Sequence, residues 1–191
     1  MQRLSERTTP AQDSFLDSYR IAVLVPCYNE ELTVTQVIDA FREELPGTSI
    51  YVYDNRSTDD TAVKARAAGA IVGFEPLPGK GHVVRRMFAD IDADIYIMVD
   101  GDHTYEAGAG RRLIERLITE RLDMVVGARQ SAVDYQTAYR PGHRGGNLFL
   151  TGVVQCLFGR RLKDMLSGYR VMSRRFVKSF PALSSGFETE T

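Results

Sequence analysis

Four times along this chain a short apolar run gives way to a stretch with helical spacing, and a fifth run follows. The runs are IAVLVP (Ile21 to Pro26), SIYVYD (Ser49 to Asp54), AIVGFE (Ala70 to Glu75), DIYIMVD (Asp94 to Asp100) and DMVVGAR (Asp123 to Arg129). After the first, Val34, Val37, Ile38, Phe41 and Leu45 recur on one helical face, Asn29 is placed to cap the start, and Pro46-Gly47 stops the helix. The second helix follows the capping residues Ser57, Thr58 and Asp59 and stops at Gly69. A third, entered through Gly79-Lys80-Gly81, carries Val84, Met87, Phe88 and Ile91 on one side, and AGAGRRLIERLITERL (Ala107 to Leu122) is the fourth. Strands that are apolar throughout and alternate with amphipathic helices predict an α/β fold, a mostly parallel sheet covered on both faces. Ligands of such sheets bind at the carboxyl ends of the strands, and PCYNE, YDNRSTD, PGKG, DGDHTY and GAR all fall there.

A chain of 191 residues with 43% hydrophobic content has enough apolar material for one core, so we expect a single domain over residues 21–191 after a polar lead-in over residues 1–20. Lys plus Arg (24) nearly balances Asp plus Glu (25), which argues against a nucleic-acid partner recognised through a global field. Cys27 and Cys156 fit neither a metal knuckle nor a disulfide framework, so a cytoplasmic home is expected. No apolar run reaches membrane-spanning length, and the N-terminus lacks a signal-peptide core. The final residues, ALSSGFETET, stop without turn chemistry, and we expect a piece of a longer protein.

The stretch YIMVDGDHTY places Asp100 and Asp102 one residue apart at the end of the most apolar run. Two carboxylates that close repel unless a cation or several donors lie between them, and hard oxygen ligands suit Mg²⁺ or Mn²⁺ beside substrate phosphates. A capped turn uses the same residue types. DGDHT also fits D-x-D-x-T, the nucleophile loop of haloacid-dehalogenase-like phosphatases, although that loop normally follows the first strand and no downstream acidic pair accompanies it here. At the end of the first run, Pro26, Tyr28 and Glu30 offer a ring and a carboxylate for a base or ribose, while Pro26 also ends a strand. Asp54, ending the second run, can accept from a base N–H or a ribose hydroxyl, or simply make a turn.

In that order, P-x-Y-N-E, D-N-x-S-x-D, G-K-G and D-x-D resemble the signature of family 2 glycosyltransferases of the GT-A fold, most closely those similar to dolichyl- or polyprenyl-phosphate sugar synthases. The resemblance implies that Pro26, Tyr28, Glu30 and Asp54 contact the nucleoside of a nucleotide-sugar donor. It implies further that Asp100 and Asp102 hold Mg²⁺ or Mn²⁺ against the sugar diphosphate, with Thr104 as a further ligand. Lys80 reaches the nucleotide or serves the helix entry. Arg129, with His143 and Arg144 in HRGGN, falls where relatives carry basic residues near the phosphates. The chain departs from the pattern after the second strand, where the paired acid is Asp54-Asn55 and the usual glycine is Arg56; both bear on base recognition.

The acceptor is read from residues 147–163, where Leu148, Phe149, Leu150, Val153, Val154, Leu157 and Phe158 surround a helix with apolar surface and Arg160, Arg161 and Lys163 follow. Such a helix is buried in protein or touches lipid, and the basic cluster suits a lipid-linked phosphate. Polyprenyl phosphate is the favoured acceptor, with peripheral membrane contact through this segment, and a saccharide hydroxyl is the alternative. A hydroxyl needs a general base, and Glu188 or Glu190 falls near the place where hydroxyl-glycosylating relatives supply an acid. The expected activity is metal-dependent and inverting; a phosphatase and a non-catalytic nucleotide-sugar binding module are the competing readings.

Overall fold

The computed structural model of the protein describes residues 15–102, 104–127 and 168–179. In chain order they form β1 (Ile21–Cys27), α1 (Val34–Glu44), β2 (Ser49–Asp54), α2 (Thr61–Ala67), β3 (Ile71–Phe74), α3 (Lys80–Asp90), β4 (Ile95–Met98), α4 (Ala109–Thr119), β5 (Met124–Val126), β6 (Arg170–Ser173) and α5 (Arg174–Ser179). The strands make one sheet in the order β3-β2-β1-β4-β6-β5. β1 pairs in parallel with β2 and β4, and β2 in parallel with β3.

Alternation along β1 sorts the core into two layers, because successive side chains of a strand point to opposite faces. Ile21, Val23, Val25 and Cys27 pack with Val34, Val37, Ile38 and Phe41 of α1 and with Ile114 and Leu117 of α4. Ala22 and Leu24 face the other way, toward Val83, Val84, Met87 and Phe88 of α3 and Val177 of α5. The α/β sheet with both faces covered is therefore the arrangement the apolar runs require. The helix stops are also as read: Gly47 and Gly69 adopt φ of 86° and 81°, values at which a side chain is strained.

The structure departs from the sequence reading in two places. The segment RVMS forms β6, which runs antiparallel to both β4 and β5 and separates them. Four residues that begin with a buried arginine, Arg170, do not read as a core strand in sequence. Asn29, expected to cap α1, lies one turn too early: α1 begins at Val34 after Thr33, which itself makes no side-chain capping bond. Asn29 instead adopts φ 55° and its Oδ1 accepts from the Thr58 backbone N–H at 2.8 Å, while its own N–H donates to Ser57 Oγ at 2.9 Å. The expected caps Ser57, Thr58 and Asp59 thus clasp the loop after β1 to the loop after β2, Asp59 accepting from the Glu31 N–H as well as from Thr61.

Among the described residues no helix is long and apolar enough to cross a membrane. Residues 147–163, on which the membrane and acceptor expectations rest, lie outside the described residues, as does the C-terminal stretch that prompted the expectation of a longer protein.

Candidate active site

The register of β1 with β2 sets Cys27 beside Asp54, and the register of β1 with β4 brings Leu24 level with Met98. The loops that follow these three strands therefore meet, and between them opens a cavity of about 710 Å³. Its lining includes Pro26, Cys27, Tyr28 and Glu30 after β1, Asn55, Arg56 and Thr58 after β2, Gly79 and Lys80 at the start of α3, and Asp100, Gly101 and Asp102 after β4. Since β2 and β4 flank β1, the Asn55-Arg56 wall and the Asp100-Asp102 wall stand on opposite sides of it.

On the β4 side, Lys80 Nζ donates to Asp100 Oδ1 at 2.5 Å, with the lysine side chain only 12% exposed. A short strand with no charge of its own thus ends in a carboxylate already facing a cation. Asp102 is turned differently: its Oδ1 accepts from the Thr104 hydroxyl at 2.7 Å and the Thr104 N–H at 3.1 Å. Thr104 orients Asp102 by donating, and a hydroxyl that donates keeps lone pairs for a cation. No group of three or more His, Cys, Asp or Glu side chains positioned for a metal occurs among the described residues. Two carboxylates fit an ion that takes its other ligands from water and substrate phosphates, the habit of Mg²⁺-type sites.

Close backbone approach makes room for these carboxylates. A Cβ on Gly101 would come within 2.8 Å of Cys27 Sγ and 3.2 Å of Glu30 Cγ. A Cβ on Gly168 would collide with the Asp100 carboxylate, and the Gly168 N–H is fixed by donation to the Tyr105 hydroxyl at 2.6 Å. Gly168 precedes β6, so the unforeseen strand is also what backs the metal-type carboxylate.

On the β1 and β2 side, Tyr28 is 60% exposed at the cavity mouth. Burial raises the Glu30 carboxyl above its usual range, opposed by the hydrogen bond from the Thr33 hydroxyl and reinforced by the charges of Asp102 and Asp100. Burial also pushes the Cys27 thiol up, so this cysteine is an apolar floor and not a nucleophile. Asp54, at the end of β2, is buried and does not line the cavity, its Oδ1 accepting from the Ser57 N–H at 3.3 Å.

The structure thus brings Pro26, Tyr28, Glu30, Lys80, Asp100 and Asp102 to one cavity; Asp54 and Thr104 do not line it, Asp54 being buried and Thr104 reaching the site only through its bonds to Asp102. Arg129, Arg144 and Glu188 lie outside the described residues. Asn55 and Arg56, noted in the sequence only as departures bearing on base recognition, line the cavity, and Gly101 and Gly168, which the sequence reading did not assign to the site, make room for its carboxylates. For Gly101 the signal was its place inside D-x-D; for Gly168 it was its place in DMLSGYRVMSRR, a segment that resembles the one relatives carry below the acceptor pocket.

A mixed sheet with parallel β3, β2, β1 and β4, a cavity over the ends of those strands and a carboxylate pair after β4 match a GT-A glycosyltransferase, and solved structures agree. The crystal structure of glucosyl-3-phosphoglycerate synthase from Mycobacterium tuberculosis in complex with Mn²⁺, UDP and glucosyl-3-phosphoglycerate superposes with a TM-score of 0.78 at 27% identity, over 100% of this chain and 69% of that one. The chain belongs to glycosyl transferase family 2, which it matches over residues 22–180. It is 57% identical over 127 residues to protein RfbJ of Shigella flexneri, a match covering 66% of this chain and 98% of RfbJ. Its match to glycosyltransferase AglJ of Haloferax volcanii is 36% identical over 177 residues, 90% of this chain but 56% of the relative's length.

Proposed function

We propose that this protein is a metal-dependent, inverting glycosyltransferase that moves a sugar from a nucleoside diphosphate sugar to an acceptor, with polyprenyl phosphate favoured. The observation that carries the reading is one cavity lined by Tyr28 and Glu30 after β1, Lys80 at the start of α3, and Asp100 and Asp102 after β4. UDP and Mn²⁺ in the M. tuberculosis neighbour support a UDP-sugar donor and Mn²⁺, with Mg²⁺ as the alternative ion.

In this reading Pro26, Tyr28, Glu30 and Asp54 bind the nucleoside, and Asp100, Asp102 and Thr104 hold the ion. The ion, when bound, neutralises charge on the departing diphosphate. Lys80 adds a fixed positive charge next to it, and Arg129 and Arg144 contribute further charge where the leaving group develops it. In this reading the acceptor attacks opposite the leaving group, and such in-line attack inverts the anomeric centre.

A lipid phosphate is already anionic and needs no proton removed, whereas a saccharide hydroxyl does; for that second acceptor class Glu188 is the proposed base. The apolar and basic pattern of residues 147–163 supports the lipid phosphate and peripheral contact with the inner face of a membrane. A phosphatase with Asp100 as nucleophile has no support among the relatives named above, and Lys80 against Asp100 leaves that carboxylate ion-paired.

Isothermal titration of UDP and GDP, with Mn²⁺ and with EDTA, tests the donor half on wild type and Asp102→Ala. Binding of one nucleotide that needs the metal and is lost in the variant is expected; no binding of either overturns the reading. Transfer from the bound donor to polyprenyl phosphate, followed by extraction into organic solvent, then separates the lipid from the saccharide acceptor.

A further inference from the structure

Asn55 stands where the pattern described above has an acid, and it is only 7% exposed. Its Nδ2 donates to the Glu75 carbonyl at 2.9 Å and the Leu77 carbonyl at 2.7 Å. Its Oδ1 accepts from the Gly79 N–H at 2.8 Å. Both amide hydrogens and the oxygen are therefore engaged by the loop between β3 and α3. Turning the amide over would set oxygen against two carbonyls and NH₂ against an N–H, so its orientation follows from its partners. The backbone of Asn55 is equally fixed, its N–H donating to the Cys27 carbonyl at 2.9 Å.

That loop leads directly into the site. Gly79, which takes the third bond, is the residue before α3, with φ 119°, and Lys80 is the first residue of the helix. Lys80 then reaches Asp100. The connection runs from the end of β2, through the loop, to the carboxylate after β4.

We infer that Asn55 is a positioning residue: its carboxamide pins the loop before α3 so that the Lys80 ammonium stands at the diphosphate end of the cavity. Its side chain, consumed by the loop, does not read the base. The inference rests on the nucleotide-sugar reading of the cavity for its consequence, although the pinning itself does not. An aspartate at this position would have no hydrogen for either carbonyl when ionised and would set a charge against both, a buried mismatch that reverses only when the carboxyl is protonated and donates to one of them.

The test compares wild type, Asn55→Asp, Lys80→Met and the double variant. Titration with UDP and Mn²⁺ is expected to show about a tenfold or larger loss of affinity for Asn55→Asp near neutral pH, partly restored as the pH is lowered toward about 5. In the Lys80→Met background the same substitution is expected to add much less, because the group it positions is gone. Equal losses in both backgrounds, or a loss with no pH dependence, overturn the inference. Urea unfolding of the same four proteins without ligand provides an arm independent of nucleotide. There the Asn55→Asp midpoint is expected to recover toward wild type on acidification and to couple to Lys80→Met. A pH-independent, uncoupled midpoint overturns the inference even if UDP fails to bind wild type. That failure would itself count against the nucleotide-sugar reading, not against the pinning.

Discussion

Lys80 and Asp100 form an ion pair across the cavity, Nζ to Oδ1 at 2.5 Å. The ammonium therefore competes with any divalent ion for Asp100 while adding positive charge that a diphosphate favours. Removing it has opposite effects on two ligands. Lys80→Met is expected to bind Mn²⁺ alone several-fold more tightly, because a like charge within contact distance is gone, and UDP with Mn²⁺ about tenfold or more weakly. Titration calorimetry with each ligand checks both signs; a fall or a rise in both would mean that the pair does not bridge the two functions.

Gly168 backs Asp100 so closely that a Cβ there would occupy the carboxylate's position. Gly168→Ala forces Asp100 to rotate or the start of β6 to retreat. The expected result is a marked loss of Mn²⁺-dependent nucleotide binding, with overpacking destabilising the fold by about 1 to 3 kcal/mol. Asp100→Ala combined with Gly168→Ala should restore the stability and not the binding, which calorimetry and urea unfolding together would reveal.

The parts of this fold that depend on neighbours in sequence were legible. SIYVYD is apolar, is bounded by turn residues and is β2 to the residue; the D-x-D after β4 drew notice because it ends a strand with no polar residue. Long-range partners were not. Asn55 was read as a departure in base recognition, but its meaning lies in carbonyls more than twenty positions away for Leu77 and twenty for Glu75. Asn29 matched a capping pattern that any asparagine between a strand and a helix satisfies, and its partners on the neighbouring loop are invisible in a local reading. β6 is short and starts with a charge that tertiary packing buries, so periodicity had nothing to measure.

Arg56 and Asn29 both occupy the left-handed region, φ 67° and 55°, on adjacent loops. Only their side chains distinguish them: Asn29 clasps Thr58, and Arg56 lies exposed along the cavity. Arg56→Gly is expected to raise stability by up to about 1 kcal/mol through relief of backbone strain. Asparagine tolerates this region better than arginine, so Asn29→Gly relieves less strain while losing the clasp, and is expected to lower stability by roughly 0.5 to 1.5 kcal/mol. Urea midpoints measured side by side decide it, and a shift of the same sign in both would remove the clasp as the cause.

Asp94 sits where β4 begins, and its carboxylate accepts from the Arg20 Nε at 3.2 Å, the Arg20 Nη2 at 3.1 Å and the Arg20 backbone N–H at 3.0 Å. The Arg20 side chain, with the backbone bond second, holds this carboxyl below the usual range. A carboxylate depressed in the folded state stabilises it fully above the unfolded value, about pH 4, and that contribution is lost as the pH falls through the lower folded value. Asp94→Asn should therefore flatten the decline in stability on the acid side while leaving the slope near neutrality unchanged. Both partners are partly exposed, so the effect is modest and shrinks with added salt. Urea midpoints between about pH 2 and pH 7, at low and high ionic strength, measure it; an unchanged acid slope in the variant would mean that the depression of Asp94 has no counterpart in the unfolding equilibrium.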